Sequence, residues 1–173
     1  MYNIKAHAAA AQQMHCNFQR ARNRAIFRRF VSHLRSACET AAAQLGHRER
    51  EAVYQRAVGA ELSSRYTCEL EYPVPVRFTT SEGRLVTLAH ERADIVASPL
   101  PGPPQPGSDP PQVIVVEVKR GFAGNRPLLK DGMEQARRYA SHISRTSSVG
   151  GVCAVIFDKT GKAPNIASEH WPP

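Results

Sequence analysis

The stretch Val113 to Lys119 (VIVVEVK) constrains the fold of this chain more than any other. An unbroken β-branched run is the pattern of a strand buried on both faces, and such strands lie in sheets covered by helices on either side. The run then ends in two charges. Glu117 and Lys119 are two apart, so on a strand they share one face while Val116 and Val118 take the other. Burying a carboxylate and an ammonium is costly unless they pair or bind something, which points to a functional role. The plain alternative is a strand end emerging into solvent.

The flanking segments extend this start into a fold. Leu128 through Ile143 has helical periodicity, with Pro127 suited to its first turn, and Val152 to Phe157 reads as a last buried strand after a turn at Gly150 and Gly151. A helix between two buried strands is the crossover expected of parallel neighbours. Upstream, Glu69 to Thr79 (ELEYPVPVRFT) is strand-like, but Pro73 and Pro75 lack the N–H that a central ladder needs, which predicts an edge or bulged strand. Ser81, Glu82 and Gly83 form a turn, and Arg84 to His90 with Arg92 to Ala97 close a hairpin as one long strand or two short ones. Ala37 to about Arg65 is proline-free and rich in Ala, Glu, Gln and Leu, reading as one or two helices on which Glu51, Tyr54, Val58 and Glu61 share a face. The predicted class is α/β, with a mixed central sheet flanked by helices.

Charge divides the chain unevenly. The formal net charge is +8, yet residues 1–38 hold seven Lys or Arg and no Asp or Glu, which leaves the remainder nearly neutral. Ile26, Phe27, Phe30, Val31 and Leu34 form an apolar stripe within this basic helical arm. Three roles compete: packing on the domain, binding nucleic acid through Arg20, Arg22, Arg24, Arg28 and Arg29 as phosphate contacts, or acting as a mitochondrial transit peptide, which is the minority alternative. The chain is divided accordingly into the arm (1–38), an α/β domain (39–160) and a tail (161–173), with a proline-rich inserted loop at 98–112 that contains seven prolines. No apolar run reaches the roughly twenty residues of a membrane span. The four cysteines make no CxxC pair and suggest small apolar packing in a reducing, cytoplasmic or nuclear compartment. His33, His47, His90 and His142 share no ligand spacing.

Asp94, on the strand expected beside Glu117, supplies a second carboxylate. Two hard oxygen ligands suit Mg²⁺ or Mn²⁺ completed by water and phosphate oxygens, with Lys119 placed to orient a water or stabilise charge on a phosphate. Asp94 followed by Glu117, Val118 and Lys119 resembles the D…(D/E)xK signature of the PD-(D/E)XK nuclease superfamily, and the predicted elements are similar to its restriction-endonuclease-like αβββαβ core. Gln135 and Tyr139 resemble the QxxxY motif of some members. Residues 48–62, 72–78, 92–94 and 116–119 are similar to the GxxExxY subfamily, with Glu51 and Tyr54 matching ExxY and Arg48 in place of the leading glycine.

This resemblance implies a metal-dependent nuclease, with DNA the favoured substrate. Asp94, Glu117 and the Val118 carbonyl would hold the metal, Glu51 would assist its shell, Lys119 would act on water or phosphate, and Gln135 and Tyr139 would align substrate. Glu61 competes with Glu51 for the third carboxylate. The alternative function is a catalytically silent nuclease-fold module that binds nucleic acid or a protein, and a homodimer is left open.

Overall fold

In chain order the elements are α1 (Ile4–Leu45), α2 (Glu51–Leu62), β1 (Tyr66–Thr79), β2 (Leu85–Pro99), β3 (Val113–Gly121), α3 (Arg126–Ile143), β4 (Val149–Asp158) and β5 (Asn165–His170), in a computed structural model that describes residues 4–100, 112–122 and 124–171. The five strands form one mixed sheet in the order β1-β2-β3-β4-β5. β3 runs antiparallel to β2 and parallel to β4, joined to β4 through α3 as the crossover. Helices cover both faces. Val116, Val118, Ile95 and Val155 pack with α1 and α2, whereas Val115, Val96 and Val152 pack with α3. The apolar β3 run is buried from both sides, as its composition requires.

Three features differ from the expectations. The arm and the first helical segment are one continuous helix: α1 passes through residue 38 without a break, and its 42 residues span about 60 Å. Phe27, Phe30, Leu34, Cys38 and Ala41 dock its C-terminal half on the core, while Met14 and Phe18 stay exposed. The tail carries β5, which pairs antiparallel with β4 from Gly151↔His170 to Ile156↔Asn165. Gly150 and Gly151 are not a turn but lie within β4. Of the proline-rich loop, residues 101–111 lie outside the described residues, and Pro99 already ends β2.

The placement of Gly151 follows from helix packing. A Cβ there would stand 2.1–2.6 Å from three ring carbons of Phe27, whose ring also packs edge-on against His170. Gly151→Ala is therefore expected to destabilise the fold by about 1–3 kcal/mol through overpacking. Denaturant unfolding measures the loss, and adding Phe27→Leu should recover part of it. Equal stability of Gly151→Ala and wild type would refute this contact.

β1 is an edge strand, as its two prolines predict, and its ladder with β2 shifts register between Val76 and Arg77. A second irregularity matters more for the site. Tyr66 and Cys68 pack toward α1 and α2, and Leu70 lies against Gly59 of α2, yet Tyr72 and Val74 pack on the α3 side. On β2, Ile95 and Ala97 face α1 and α2, whereas Ala93 faces the α3 side. A regular strand keeps alternate residues on one face, so both strands switch faces together, at Glu71 and Asp94. Glu71 has a φ of 52°, the left-handed region that a non-glycine residue adopts only under constraint.

Candidate active site

The β2–β3 ladder is short, running from Ile95↔Val116 to Ala97↔Ile114. Beyond Ile95 the strands part, and side-chain carboxylates take up backbone donors of β3 that a neighbouring strand would otherwise meet. Asp94 Oδ2 accepts from the Val118 N–H at 2.7 Å, and Glu51 Oε2, from the first turn of α2, accepts from the Arg120 N–H at 2.8 Å. The N–H and C=O of one residue in a strand share an edge, so the Val118 carbonyl is directed into the same gap. Glu117 Oε1 accepts from the Asp94 N–H at 3.4 Å, and the Lys119 ammonium donates to Glu117 Oε2 at 3.3 Å.

Burial makes this cluster energetically tense. The Glu117 side chain is fully buried and that of Lys119 is 19% exposed. Burial first, and then the Asp94 charge, push the Glu117 carboxyl up to about 8 against the opposing pull of Lys119. Asp94 is also raised, by burial, although the Val118 N–H and Lys119 work in the other direction. For Lys119, burial alone would lower the ammonium, but Glu117, Asp94 and Glu51 together overcome it and hold the group above the usual lysine value. Three carboxyls thus stand around one ammonium, and the raised Lys119 value reflects that imbalance.

The structure brings Glu51, Asp94, Glu117 and Lys119 together. Glu61 is exposed near the C-terminal end of α2, about 15 Å along the helix axis from Glu51, which removes it as the competing carboxylate. Tyr54 turns away from the gap: its hydroxyl donates to the Gly46 carbonyl at 2.6 Å and its ring stacks on Phe157 at 4.2 Å, fixing the α1–α2 corner from which Glu51 starts. Gln135 donates to the Tyr139 hydroxyl at 2.9 Å on α3, the helix whose Gly132 faces the Lys119 stem. Arg20, Arg22, Arg24, Arg28 and Arg29 are exposed on α1 and are not part of this cluster. Phe27 meets Gly151 near the start of β4, whereas the opposite end of α1 adjoins Glu51, so Arg24 lies about 33 Å along the helix axis from Gly46.

Among the described residues, no group of three or more His, Cys, Asp or Glu side chains stands in a metal-holding arrangement. Glu51 is turned into the Arg120 amide, which leaves Asp94 and Glu117 as the carboxylate pair. Two residues escaped sequence inspection. Gln55, 4% exposed on α2, donates from Nε2 to the Asp94 carbonyl at 2.7 Å and to Glu71 Oε1 at 2.8 Å. Arg120 ties β3 to the α1–α2 corner, its Nη2 donating to the His47 carbonyl at 2.8 Å. A glutamine one residue after Tyr54 carries no pattern that marks it in advance.

The fold and site together define a mixed α/β protein with a buried carboxylate–lysine cluster where two sheet strands part. No family model matches the chain. Nor does any curated protein. Among solved structures, one described as "Crystal structure of SSO0001" is similar at 14% identity and a TM-score of 0.45, over 92% of this chain and 78% of that one.

Proposed function

We propose that the protein is a metal-dependent nuclease that hydrolyses phosphodiester bonds of nucleic acid, DNA being the favoured substrate, on a restriction-endonuclease-like core. The observation that carries this is the meeting of Asp94, Glu117 and Lys119 in the gap between β2 and β3, in the chain order of the D…(D/E)xK signature. The donor set fits Mg²⁺ or Mn²⁺. Asp94 and Glu117 are hard oxygen donors and the Val118 carbonyl faces the same gap. Burial is the first cause that raises both carboxyls, while the raised Lys119 ammonium reflects the surplus of negative charge beside it. When bound, the ion supplies Lewis acidity at a phosphate oxygen and a more acidic water.

The protein groups perform the remaining work. The Val118 N–H fixes one Asp94 oxygen, which orients the other, and Glu51 holds β3 at Arg120 so that the strand end keeps its direction. Lys119 would orient the attacking water or donate to a phosphate oxygen, where charge develops in the transition state. Gln135 and Tyr139 would align substrate from α3. The arginines of α1 would contact phosphates well away from the reacting bond.

A catalytically silent module that binds nucleic acid or a protein is the second reading. It is favoured by the Glu117–Lys119 ion pair, which satisfies the site internally. Cleavage of labelled duplex, single-stranded and branched DNA and of RNA, in Mg²⁺, Mn²⁺ or EDTA, separates the two. The nuclease reading expects cleavage that requires metal and disappears in Lys119→Ala of verified fold. Intact substrates under every condition, with no Mg²⁺ or Mn²⁺ binding by calorimetry, would leave the silent module.

A further inference from the structure

We propose that Gln55 is a positioning residue for Asp94: by gripping the Asp94 carbonyl and the Glu71 carboxylate, it holds β1 and β2 in the distorted geometry that turns the Asp94 side chain into the gap. This role rests on the nuclease reading for its catalytic consequence, but its geometry stands on separate observations.

A residue in a regular ladder projects its side chain perpendicular to the sheet. The Asp94 carboxylate instead reaches sideways, in the plane of the sheet, to the Val118 N–H. It does so at the point where β1 and β2 switch faces, opposite a glutamate with a positive φ. Such a backbone persists only where its surroundings over-determine it. Gln55 is the buried group that touches both halves of the distortion. One amide nitrogen supplies both bonds, to the Asp94 carbonyl at 2.7 Å and to Glu71 Oε1 at 2.8 Å, and α2 brings it there from the same helix that carries Glu51. Glu71 Oε2 also lies 3.7 Å from the exposed Arg92 guanidinium. Without the amide, the Asp94 carbonyl and the Glu71 carboxylate lose their shared donor, and the pair is free to relax toward a regular ladder that withdraws Asp94 from β3.

The test pairs Gln55→Leu, near in volume but without a donor, with Gln55→Leu/Glu71→Gly, in which glycine accepts the positive φ without strain. The Val118 amide in ¹H–¹⁵N spectra reports its bond to Asp94 without any need for cleavage. In Gln55→Leu this amide should shift strongly, kcat should fall about 10–100-fold with KM nearly unchanged, as for other groups that orient a metal ligand, and the glycine should restore much of both. Should Gln55→Leu not fold, Gln55→Met carries the same comparison. A Val118 amide unmoved by losing the Gln55 donor overturns the proposal, as does an unchanged kcat in a variant of an active wild type. If the wild type cleaves nothing but the Val118 amide moves and recovers with Glu71→Gly, the positioning role stands and the nuclease reading fails.

Discussion

On the proposed nuclease reading, Asp94→Asn is expected to lose at least about a hundredfold in cleavage rate while folding at least as stably as the wild type at pH 8. The two effects have one origin. Asparagine is nearly isosteric, and its carbonyl oxygen can still accept the Val118 N–H that Asp94 Oδ2 now takes at 2.7 Å. What disappears is a negative charge that pushes up the buried Glu117 carboxyl, itself raised from an ordinary 4.5 to about 8, chiefly by burial. Because the folded value lies above the unfolded one, the folded protein binds the Glu117 proton more tightly. The associated stability is complete below about pH 4.5 and is lost as the pH rises through about 8. Removing the Asp94 charge softens that loss, so the variant should gain most on the alkaline side. Denaturant unfolding from pH 5 to 9, beside single-turnover cleavage, reads both quantities. A variant that is inactive because it is unstable would contradict the assignment, and so would one that retains activity within threefold.

Lys119→Met reverses the sign on stability. The ammonium is the ion-pair partner of a fully buried carboxylate, and deleting one member of a buried pair costs about 3–5 kcal/mol when the other must remain charged. Without Lys119 the Glu117 carboxyl holds its proton to still higher pH, so the penalty is small in acid and grows as the pH passes about 8. On the proposed nuclease reading, cleavage should vanish at every pH, since nothing replaces Lys119 as the proposed donor to water or phosphate. The double variant Glu117→Gln/Lys119→Met should recover most of the lost stability and none of the activity. Thermal unfolding at pH 6 and pH 9 distinguishes this from a general packing defect, which would destabilise equally at both.

The clustering of Glu117 and Lys119 was legible because burying charge is expensive. Glu117 and Lys119 stood out at the end of a β-branched run, and their common face on β3 followed from the two-residue period of a strand. The crossover through α3 was legible for a different reason: a strongly periodic segment separates two apolar runs. What stayed hidden depends on distant contacts. Gly150 and Gly151 look like a turn in isolation, and only Phe27, more than a hundred residues earlier, explains why β4 needs no side chain at Gly151. β5 is six residues of mixed polarity (NIASEH) with no alternation to announce it, and it becomes a strand because β4 offers an edge. The joint distortion at Glu71 and Asp94 could not be read at all, because propensity disfavours a positive φ at glutamate and the grip of Gln55 arises only after α2 has docked.

The two prolines of β1 also bear on how the sheet could grow. Pro73 and Pro75 are two apart and so present the same edge, the one turned away from β2 in a strand that nevertheless keeps its ladder. Along that stretch the rim of the sheet can accept hydrogen bonds but has no proline N–H to give. A strand from another molecule would find alternate rungs missing there, and the distorted backbone at Glu71 would carry it out of register one step further on. Fibrillar stacking through β1 is thereby discouraged, and any sixth strand would have to join at β5.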